Sequence, residues 1–294
     1  MSNQQPNPNP QRGPNPYVGP QPFKQGQKLY GRTRETLELY DLLIAERIVM
    51  LHSPSGAGKT SLLQAALLPR LERKRFHVLP TVRVHLEPGI ESSAANRYVM
   101  STLLHLEDAV DKEARRPDAE LAQLSLHDYL VEREIIPPPL PAPDNGADED
   151  EDDAAFDAPQ RPRKPQRRTI LIFDQFEEVL TVDATDRAAK AEFFAQLGAV
   201  LAHRHIWAIF SLREDYVAQF DPYLRPLPTR LQTRFRLDLL DTDAAIEAIQ
   251  GPADERDVDF TVAAATQLAS DLATVRAQAY GSDEVKEMAG AYIE

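Results

Sequence analysis

Short apolar runs separated by polar, helix-spaced segments define the pattern of this chain. Apolar runs bounded by loop-forming residues are typical of strands buried on both faces of a parallel sheet. The predicted strands are Ile48–Leu51, Phe76–Leu86, Thr169–Asp174, Ile206–Leu212 and Phe235–Leu240. Apolar residues recur at helical spacing in the segments between and before them. The predicted helices are 33–43, 61–68, 96–106, 121–131 and 188–202.

Strands that alternate with helices indicate an α/β fold with a doubly wound parallel sheet. From Thr242 onward the apolar residues recur only at helical spacing. We therefore predict a five-stranded α/β domain over residues 17–241 and a small helical lid over residues 242–294. The last residues of the sequence continue a predicted helical stretch without a capping residue, so we expect the lid to be truncated.

Two segments show no apolar periodicity. Residues 1–16 are mostly Asn, Gln and Pro, a composition typical of disordered tails. Residues 137–168 contain the acidic run Asp148–Asp153 and then the basic run Arg161–Arg168. We predict that this second segment is a disordered charged insertion.

Composition excludes several classes of protein. The 294 residues are 42% hydrophobic, enough for a sizeable core, and the net charge of −13 argues against a surface built for nucleic acid or anionic membranes. Without cysteine, the chain has no disulfide, thiolate metal site or cysteine nucleophile. His203 and His205 lack an evident third ligand, so we predict no metal site there. The absence of a signal peptide and of long apolar runs predicts a soluble, cytoplasmic protein.

A glycine-rich loop follows the first predicted strand and precedes an apolar helix. In the segment Gly56–Thr60, the glycines let backbone N–H groups surround phosphate, Lys59 supplies a charge and Thr60 a hydroxyl for Mg²⁺. Ser53 replaces the first glycine of the G-x-x-x-x-G-K-[ST] pattern, which serine tolerates unless φ must be positive. We predict that a nucleotide binds here. The predicted contacts are Ser53, Ser55, Gly56, Ala57, Gly58, Lys59, Thr60 and Ser61.

A carboxylate ends the third predicted strand. Asp174 would emerge at the carboxyl edge of the sheet and bind Mg²⁺ together with Thr60. The next residue, Gln175, cannot accept a proton from water. The candidate general bases are therefore Glu177 and Glu178, with Glu177 preferred; the alternative is that both only cap the following turn.

These motifs resemble one class of ATPases. The patterns Y-x-G-x-x-P-F from Tyr17 and L-Y-G-R-x-x-E from Leu29 are similar to those of STAND-class P-loop ATPases. The acidic motif D-Q-F-E-E at Asp174–Glu178 resembles that of their bacterial novel-STAND branch. Ser211–Tyr216 resembles the branch's arginine motif, and Ala245–Ala253 resembles the start of its lid. The similarity covers roughly residues 17–272, apart from the insertion.

The resemblance implies a P-loop NTPase fold of the AAA+/STAND type. It further implies a molecular switch that binds ATP or ADP with Mg²⁺, hydrolyses slowly, and couples nucleotide state to conformational change or oligomerisation, as in bacterial sensing or defence. By the same resemblance, Gly31 and Arg32 lie near the base or ribose, and Arg213 senses the γ-phosphate unless it forms only a surface salt bridge. The implied partners are downstream winged-helix and repeat sensor domains and a trigger-dependent homo-oligomer.

Three alternatives remain open. A nucleotide-locked scaffold would hold ATP or ADP without useful turnover, a reading that Gln175 favours. A ring-forming AAA+-type motor is suggested by Arg230 and Arg234, which with Arg236 occupy the region where related ring-forming ATPases place an arginine finger; we expect Arg236 at the edge of the sheet. The basic run Arg161–Arg168 offers charge for nucleic acid, but it lacks interleaved aromatic residues and follows an acidic run, which favours a solvated linker.

Overall fold

The computed structural model describes residues 17, 19, 21–85, 96–137, 167–256, 258, 260–278 and 285–289. The predicted tail and most of the predicted insertion therefore lie outside the described residues. The chain forms two compact units, which we name by their main features. The sheet unit comprises Asp41–His52 and Leu71–Arg236, and the loop unit comprises Met1–Tyr40, Ser53–Arg70 and Leu237–Glu294.

The sheet unit is built on a five-stranded parallel sheet with the strand order β2-β3-β4-β1-β5. This arrangement confirms the predicted α/β fold. The strands are β1 (Ile48–Ser53), β2 (His77–Val82), β3 (Thr169–Phe173), β4 (Ile206–Arg213) and β5 (Arg234–Arg236).

The buried strand β3 has nearly its predicted bounds, whereas the edge strands β2 and β5 are shorter than predicted. All five residues of β3 are buried, and β3 pairs with β4 from Thr169 opposite Ile206 to Phe173 opposite Phe210. In the edge strand β2, the register shifts between Val78 and Thr81, where Pro80 cannot donate a ladder hydrogen bond. The edge strand β5 is shorter than predicted, because it pairs only with β1 and its two arginines are exposed.

Helices alternate with the strands along the chain. They are α1 (Thr33–Glu46), α2 (Lys59–Ser61), α3 (Leu68–Arg73), α4 (Arg97–Glu107), α5 (Asp118–Leu121), α6 (Leu126–Glu132), α7 (Glu178–Thr181), α8 (Arg187–Leu201), α9 (Thr242–Asp254) and α10 (Val262–Ala273). A π-helical segment, Leu62–Leu67, joins α2 to α3, and 3₁₀ helices form at Lys112–Ala114 and Glu214–Tyr223.

Two predicted helical segments differ from the structure. The single helix over 121–131 is wrong, because Ser125 starts a new helix by accepting a hydrogen bond from the Asp128 amide. The prediction that only helices follow Thr242 is also wrong. After α9 and α10, an antiparallel pair forms from β6 (Thr274–Gln278) and β7 (Val285–Ala289). Their sequences contain β-branched Thr and Val residues, which favour strands. The boundary between domain and lid at residue 241 stays a prediction.

The core of the sheet unit contains a cluster of phenylalanine rings beneath the carboxyl end of β3. Phe173 stacks on Phe210 with ring centroids 5.1 Å apart, and Phe176 stacks on Phe220 at 5.2 Å. The ring of Phe194 contacts both Phe176 and Phe220. Buried aromatic pairs of this kind add packing energy beyond the area that they bury. The cluster therefore fixes the backbone from which Asp174 and the two glutamates project.

Candidate functional site

The glycine-rich loop lies directly after β1 and adopts backbone conformations that require glycine. Gly56 and Gly58 have φ values of 82° and 88°. Gly58 also precedes α2 as its N-cap, and its carbonyl accepts a hydrogen bond from the Leu62 amide at 2.9 Å. A Cβ atom on Gly58 would meet no atom within 4 Å, so glycine is needed there for its backbone conformation and not for space. This geometry is what a phosphate-binding turn between a strand and a helix needs.

Ser53 fits the place of the missing first glycine without backbone strain. It is the last residue of β1, buried and in strand conformation, where any residue is tolerated. Its hydroxyl accepts a hydrogen bond from Lys59 Nζ at 2.7 Å and donates to the Pro54 carbonyl at 2.7 Å. Ser53 therefore holds the lysine of the loop in addition to shaping its start.

The other predicted contacts of the loop differ in their surroundings. Ser55 and Gly56 are exposed, whereas Ala57 is buried. The Ser61 hydroxyl accepts a hydrogen bond from the Phe23 amide at 3.1 Å, which ties the segment before α1 to the helix that follows the loop. Thr60 is half-buried at the second position of α2. Their contacts with a nucleotide remain predictions.

Arg32 is buried, and its guanidinium bonds to the protein on two sides. Nη2 donates to the carbonyls of Ala57 at 3.0 Å and Asp238 at 2.7 Å, and Nη1 pairs with the Glu35 carboxylate at 2.8 Å. Gly31, with φ of 72°, packs so closely on α9 that a Cβ would lie 2.3 Å from the Ala244 carbonyl oxygen. The predicted contacts of Arg32 and Gly31 with a base or ribose stay predictions.

Asp174 lies where the sequence predicts, directly after the buried strand β3. Its side chain is 2% exposed, and Oδ1 accepts a hydrogen bond from the Ser211 hydroxyl at 2.9 Å. Arg83 Nη2 lies 3.9 Å from the other oxygen. Carboxylate and hydroxyl oxygens are the ligands that Mg²⁺ prefers, and Mg²⁺ usually needs only one or two protein carboxylates. Asp174, oriented by Ser211, fits the metal-binding role predicted for it.

Glu177 and Glu178 occupy different electrostatic environments. Glu177 Oε2 accepts a hydrogen bond from the Arg213 amide at 3.3 Å. Glu178 Oε2 is buried and has no hydrogen-bond partner within the described part of the chain. Burial raises the pKa of the Glu178 carboxyl; the nearby His85 and Arg83 lower it in part, and Glu177 and Asp174 add repulsion. A desolvated carboxylate with a raised pKa is the type of group that accepts a proton from water.

Phe176 supports the acidic motif from the core, a role that we did not predict from the sequence. Between Gln175 and Glu177 it is fully buried, and its ring contacts five other phenylalanines of the core. Gln175 has φ of 55°, and the Phe176 amide donates to the Ser211 carbonyl at 2.8 Å. A fully apolar residue within an otherwise polar motif was the available signal. Phe176 anchors the turn that presents the three carboxylates.

The predicted arginines lie at the surface of the sheet unit. Arg213 ends β4 and pairs with Asp215 at 2.5 Å, which raises the pKa of its guanidinium. Arg236 pairs with Glu214 at 3.1 Å, and Arg230 and Arg234 are exposed. The sensor role of Arg213 and the arginine-finger role of the others stay predictions.

The described residues contain neither a cluster of metal-binding side chains nor a helix that could cross a membrane. No group of three or more histidine, aspartate or glutamate side chains within the described ranges is placed to hold a metal ion. The helices of those same ranges do not combine the length and apolarity needed to cross a bilayer.

Comparison with protein families identifies the chain. The family described as novel STAND NTPase 1 matches residues 16–282, which is most of the sequence. The chain belongs to the novel STAND NTPase 1 family. This membership confirms the resemblance carried by the D-Q-F-E-E motif, and it makes the chain a nucleotide-binding NTPase. A search of curated proteins found no match.

Solved structures show the same fold as this novel STAND NTPase. The Walker-type ATPase PABY2304 of Pyrococcus abyssi matches with a TM-score of 0.54 and 17% identity over 86% of this chain and 65% of that one. The ORC2 protein of Aeropyrum pernix, solved as ADPNP–ADP complexes, matches with a TM-score of 0.51 and 11% identity over 84% and 58%. The chain thus spans less than two thirds of either neighbour. Both similarities confirm the predicted P-loop ATPase fold.

Proposed function

We propose that this chain is the Mg-ATP-binding and slowly hydrolysing switch domain of a STAND signal-transduction ATPase. The observation that carries the proposal is the loop after β1, where Gly56 and Gly58 take positive φ values and Lys59 follows at the start of a helical run. Backbone N–H groups and the helix N-terminus would receive the phosphates, and Lys59 would leave the Ser53 hydroxyl to contact their outer oxygens.

Mg²⁺ would be held by the Thr60 hydroxyl and the Asp174 carboxylate. When bound, the ion neutralises charge on the outer phosphates. Asp174 is suited to this role because the Ser211 hydroxyl orients one of its oxygens, while Arg83 balances its charge. Both roles come from the chemistry of the residues and from family membership.

We further propose that Glu178, and not the initially preferred Glu177, activates the attacking water. The buried Oε2 of Glu178, which has no hydrogen-bond partner in the described ranges, would take the water proton as the water oxygen bonds to the γ-phosphorus and the bond to the β-phosphate oxygen breaks. Glu177 is already engaged by the Arg213 amide at 3.3 Å. Glu177 would then position Arg213, whose proposed role is to sense the γ-phosphate.

Phosphate release under multiple turnover tests this assignment. Glu178→Gln should lower the rate by about 100-fold or more, as expected for loss of a general base, and Glu177→Gln by about tenfold or less. Glu120→Gln, at an exposed position of α5, is the matched control and should behave as wild type. A Glu178→Gln rate equal to wild type would remove Glu178 from the mechanism.

One alternative function rests on a specific observation. Gln175 follows Asp174 in a left-handed conformation, with φ of 55°, and cannot act as a base. A nucleotide-locked scaffold would then bind ATP without turnover. Wild-type phosphate release no faster than the enzyme-free background, together with tight nucleotide binding, would favour the scaffold. Downstream sensor domains, a trigger-dependent homo-oligomer and a cytoplasmic location remain part of the proposal.

A further inference from the structure

The buried Arg32 guanidinium joins two parts of the loop unit that are distant in sequence. Nη2 donates both to Ala57, inside the phosphate loop, and to Asp238, in the segment leading to α9. These partners lie 25 and 206 residues away along the chain. On the other side, Nη1 pairs with Glu35, and both side chains of this pair are largely buried, at 6% and 15% exposed.

A buried guanidinium is strongly constrained by its partners. A charge shielded from water needs an opposite charge and acceptors for its N–H groups, and removing one partner leaves an expensive unpaired group. The planar guanidinium presents its donors in a fixed arrangement. The positions of the Ala57 and Asp238 carbonyls are therefore linked, because both bond to the same nitrogen.

The segment that contains Asp238 leads directly into α9. Asp241 caps this helix, since its side chain accepts a hydrogen bond from the Ala244 amide at 2.9 Å. At the same turn, the Ala244 carbonyl packs against Gly31, which immediately precedes Arg32. Two neighbouring residues of the chain thus contact the start of α9 and its approach. A movement of Arg32 would therefore shift α9 through both contacts, the bond to Asp238 and the packing of Gly31 on Ala244.

We propose that Arg32 is a positioning residue that couples occupancy of the phosphate loop to the start of α9. This inference rests on the proposed function, because it requires a nucleotide in the loop. When phosphate binds, the loop backbone around Ala57 adjusts, and the bond to Arg32 transmits that change to Asp238. The α9 helix then senses the nucleotide without touching it.

Hydrogen exchange of the α9 amides in the 294-residue chain, with and without Mg-ADP, tests the coupling. In wild type, Mg-ADP should slow exchange in α9 by about five- to tenfold, a typical strength for linkage between sites. In Arg32→Lys, a single ammonium replaces the planar fork, so the change in α9 should fall below about twofold at an Mg-ADP concentration that saturates the variant, whatever its affinity. Nucleotide binding is measured separately by titration.

Arg34→Lys is the matched control. Arg34 lies two residues further on, is exposed, and pairs only loosely with Glu38 at 3.9 Å. This variant should keep the full wild-type response of α9. If Arg32→Lys does not fold, Glu35→Gln weakens the same guanidinium anchor and should reduce the response of α9 while nucleotide binding persists.

The outcomes separate the two proposals. A wild-type response of α9 in a folded, nucleotide-binding Arg32→Lys or Glu35→Gln variant would overturn the coupling alone. The same holds for a wild-type chain that binds Mg-ADP with no change in α9. Failure of wild type to bind any nucleotide would overturn the proposed function, and the coupling with it.

Discussion

The phosphate loop and the acidic end of β3 satisfy their polar groups in opposite ways. In the loop, the Lys59 ammonium is held by the Ser53 hydroxyl and the Ala57 carbonyl by the Arg32 guanidinium. At the end of β3, Asp174 receives the Ser211 hydroxyl, but Glu178 keeps one buried oxygen with no hydrogen-bond partner among the described residues. The loop is preorganised, whereas the acidic end retains an electrostatic penalty.

This difference separates binding from turnover. Because the turn of the loop is already formed, phosphate binding needs only a local adjustment of its backbone and of the Lys59 side chain, so affinity should depend on backbone conformation and on Lys59. A desolvated carboxylate destabilises the folded protein but is a better proton acceptor, which is common where a residue serves chemistry. Substitutions in the two regions should therefore affect different measurements.

The largest effect is expected at Asp174. Asp174→Asn removes a charge that Mg²⁺ needs, so phosphate release should fall on the order of 1,000-fold, which corresponds to about 4 kcal/mol of lost charge stabilisation. Phosphate release with saturating Mg-ATP measures this. Asp118→Asn, at an exposed position in α5, is the control. Unchanged turnover in a folded Asp174→Asn protein would contradict the metal-binding role.

A smaller effect is expected in the backbone of the loop. Gly58→Ala forces a side chain into a left-handed conformation at about 1–2 kcal/mol, which should weaken Mg-ATP affinity roughly tenfold. Titration with nucleotide measures this change. Gly26→Ala is a close control, because Gly26 has nearly the same φ, 87°, and also meets nothing within 4 Å. Equal losses of affinity in both variants would mean that the loop is not the binding element.

The Ser53 hydroxyl should have a still smaller influence. Ser53→Ala releases Lys59 from a hydrogen bond worth about 1 kcal/mol, so Mg-ATP should bind about fivefold more tightly. Calorimetry can resolve this difference. An affinity lower than that of wild type would show that the hydroxyl is needed in the bound state.

The smallest effect is a change in stability at the acidic end. Because burial raises the pKa of Glu178 in the folded state, its contribution to stability is full at pH below its unfolded pKa and is lost as pH rises through the folded pKa. Glutamine carries no charge, so Glu178→Gln avoids the cost of burying an ionised carboxylate and should raise the Tm by roughly 1–3 °C at pH 7. The gain should shrink toward pH 4. A pH-independent gain would argue against an ionised, desolvated Glu178.

The strands and the loop could be predicted because their signals are local. The mostly apolar β3, the glycines of the loop and the aspartate at the strand end can each be recognised from neighbouring residues in the sequence. The split of the 121–131 helix also had a local signal in Ser125, which the apolar spacing concealed. The bounds of short edge strands such as β5 are harder to predict from the sequence, because they depend on pairing with a single neighbouring strand.

The role of Arg32 could not be predicted from local pattern. Its partners Ala57 and Asp238 are brought to it by the fold, and the contact with a base or ribose that the resemblance implies stays a prediction. The distinction between Glu177 and Glu178 likewise depends on burial near Arg83 and His85, two residues that follow the end of β2. Such tertiary contacts leave no periodic signal in the sequence.

Mg-ATP binding by Lys59→Ala tests the central claim most directly. Isothermal titration of wild type, Lys59→Ala and the exposed control Lys74→Ala compares their affinities, with circular dichroism confirming the fold. The account predicts a loss of about 100-fold or more in Lys59→Ala, from removal of a charge-assisted contact with phosphate, and none in Lys74→Ala. A folded Lys59→Ala protein with wild-type affinity would contradict the assignment of the nucleotide site.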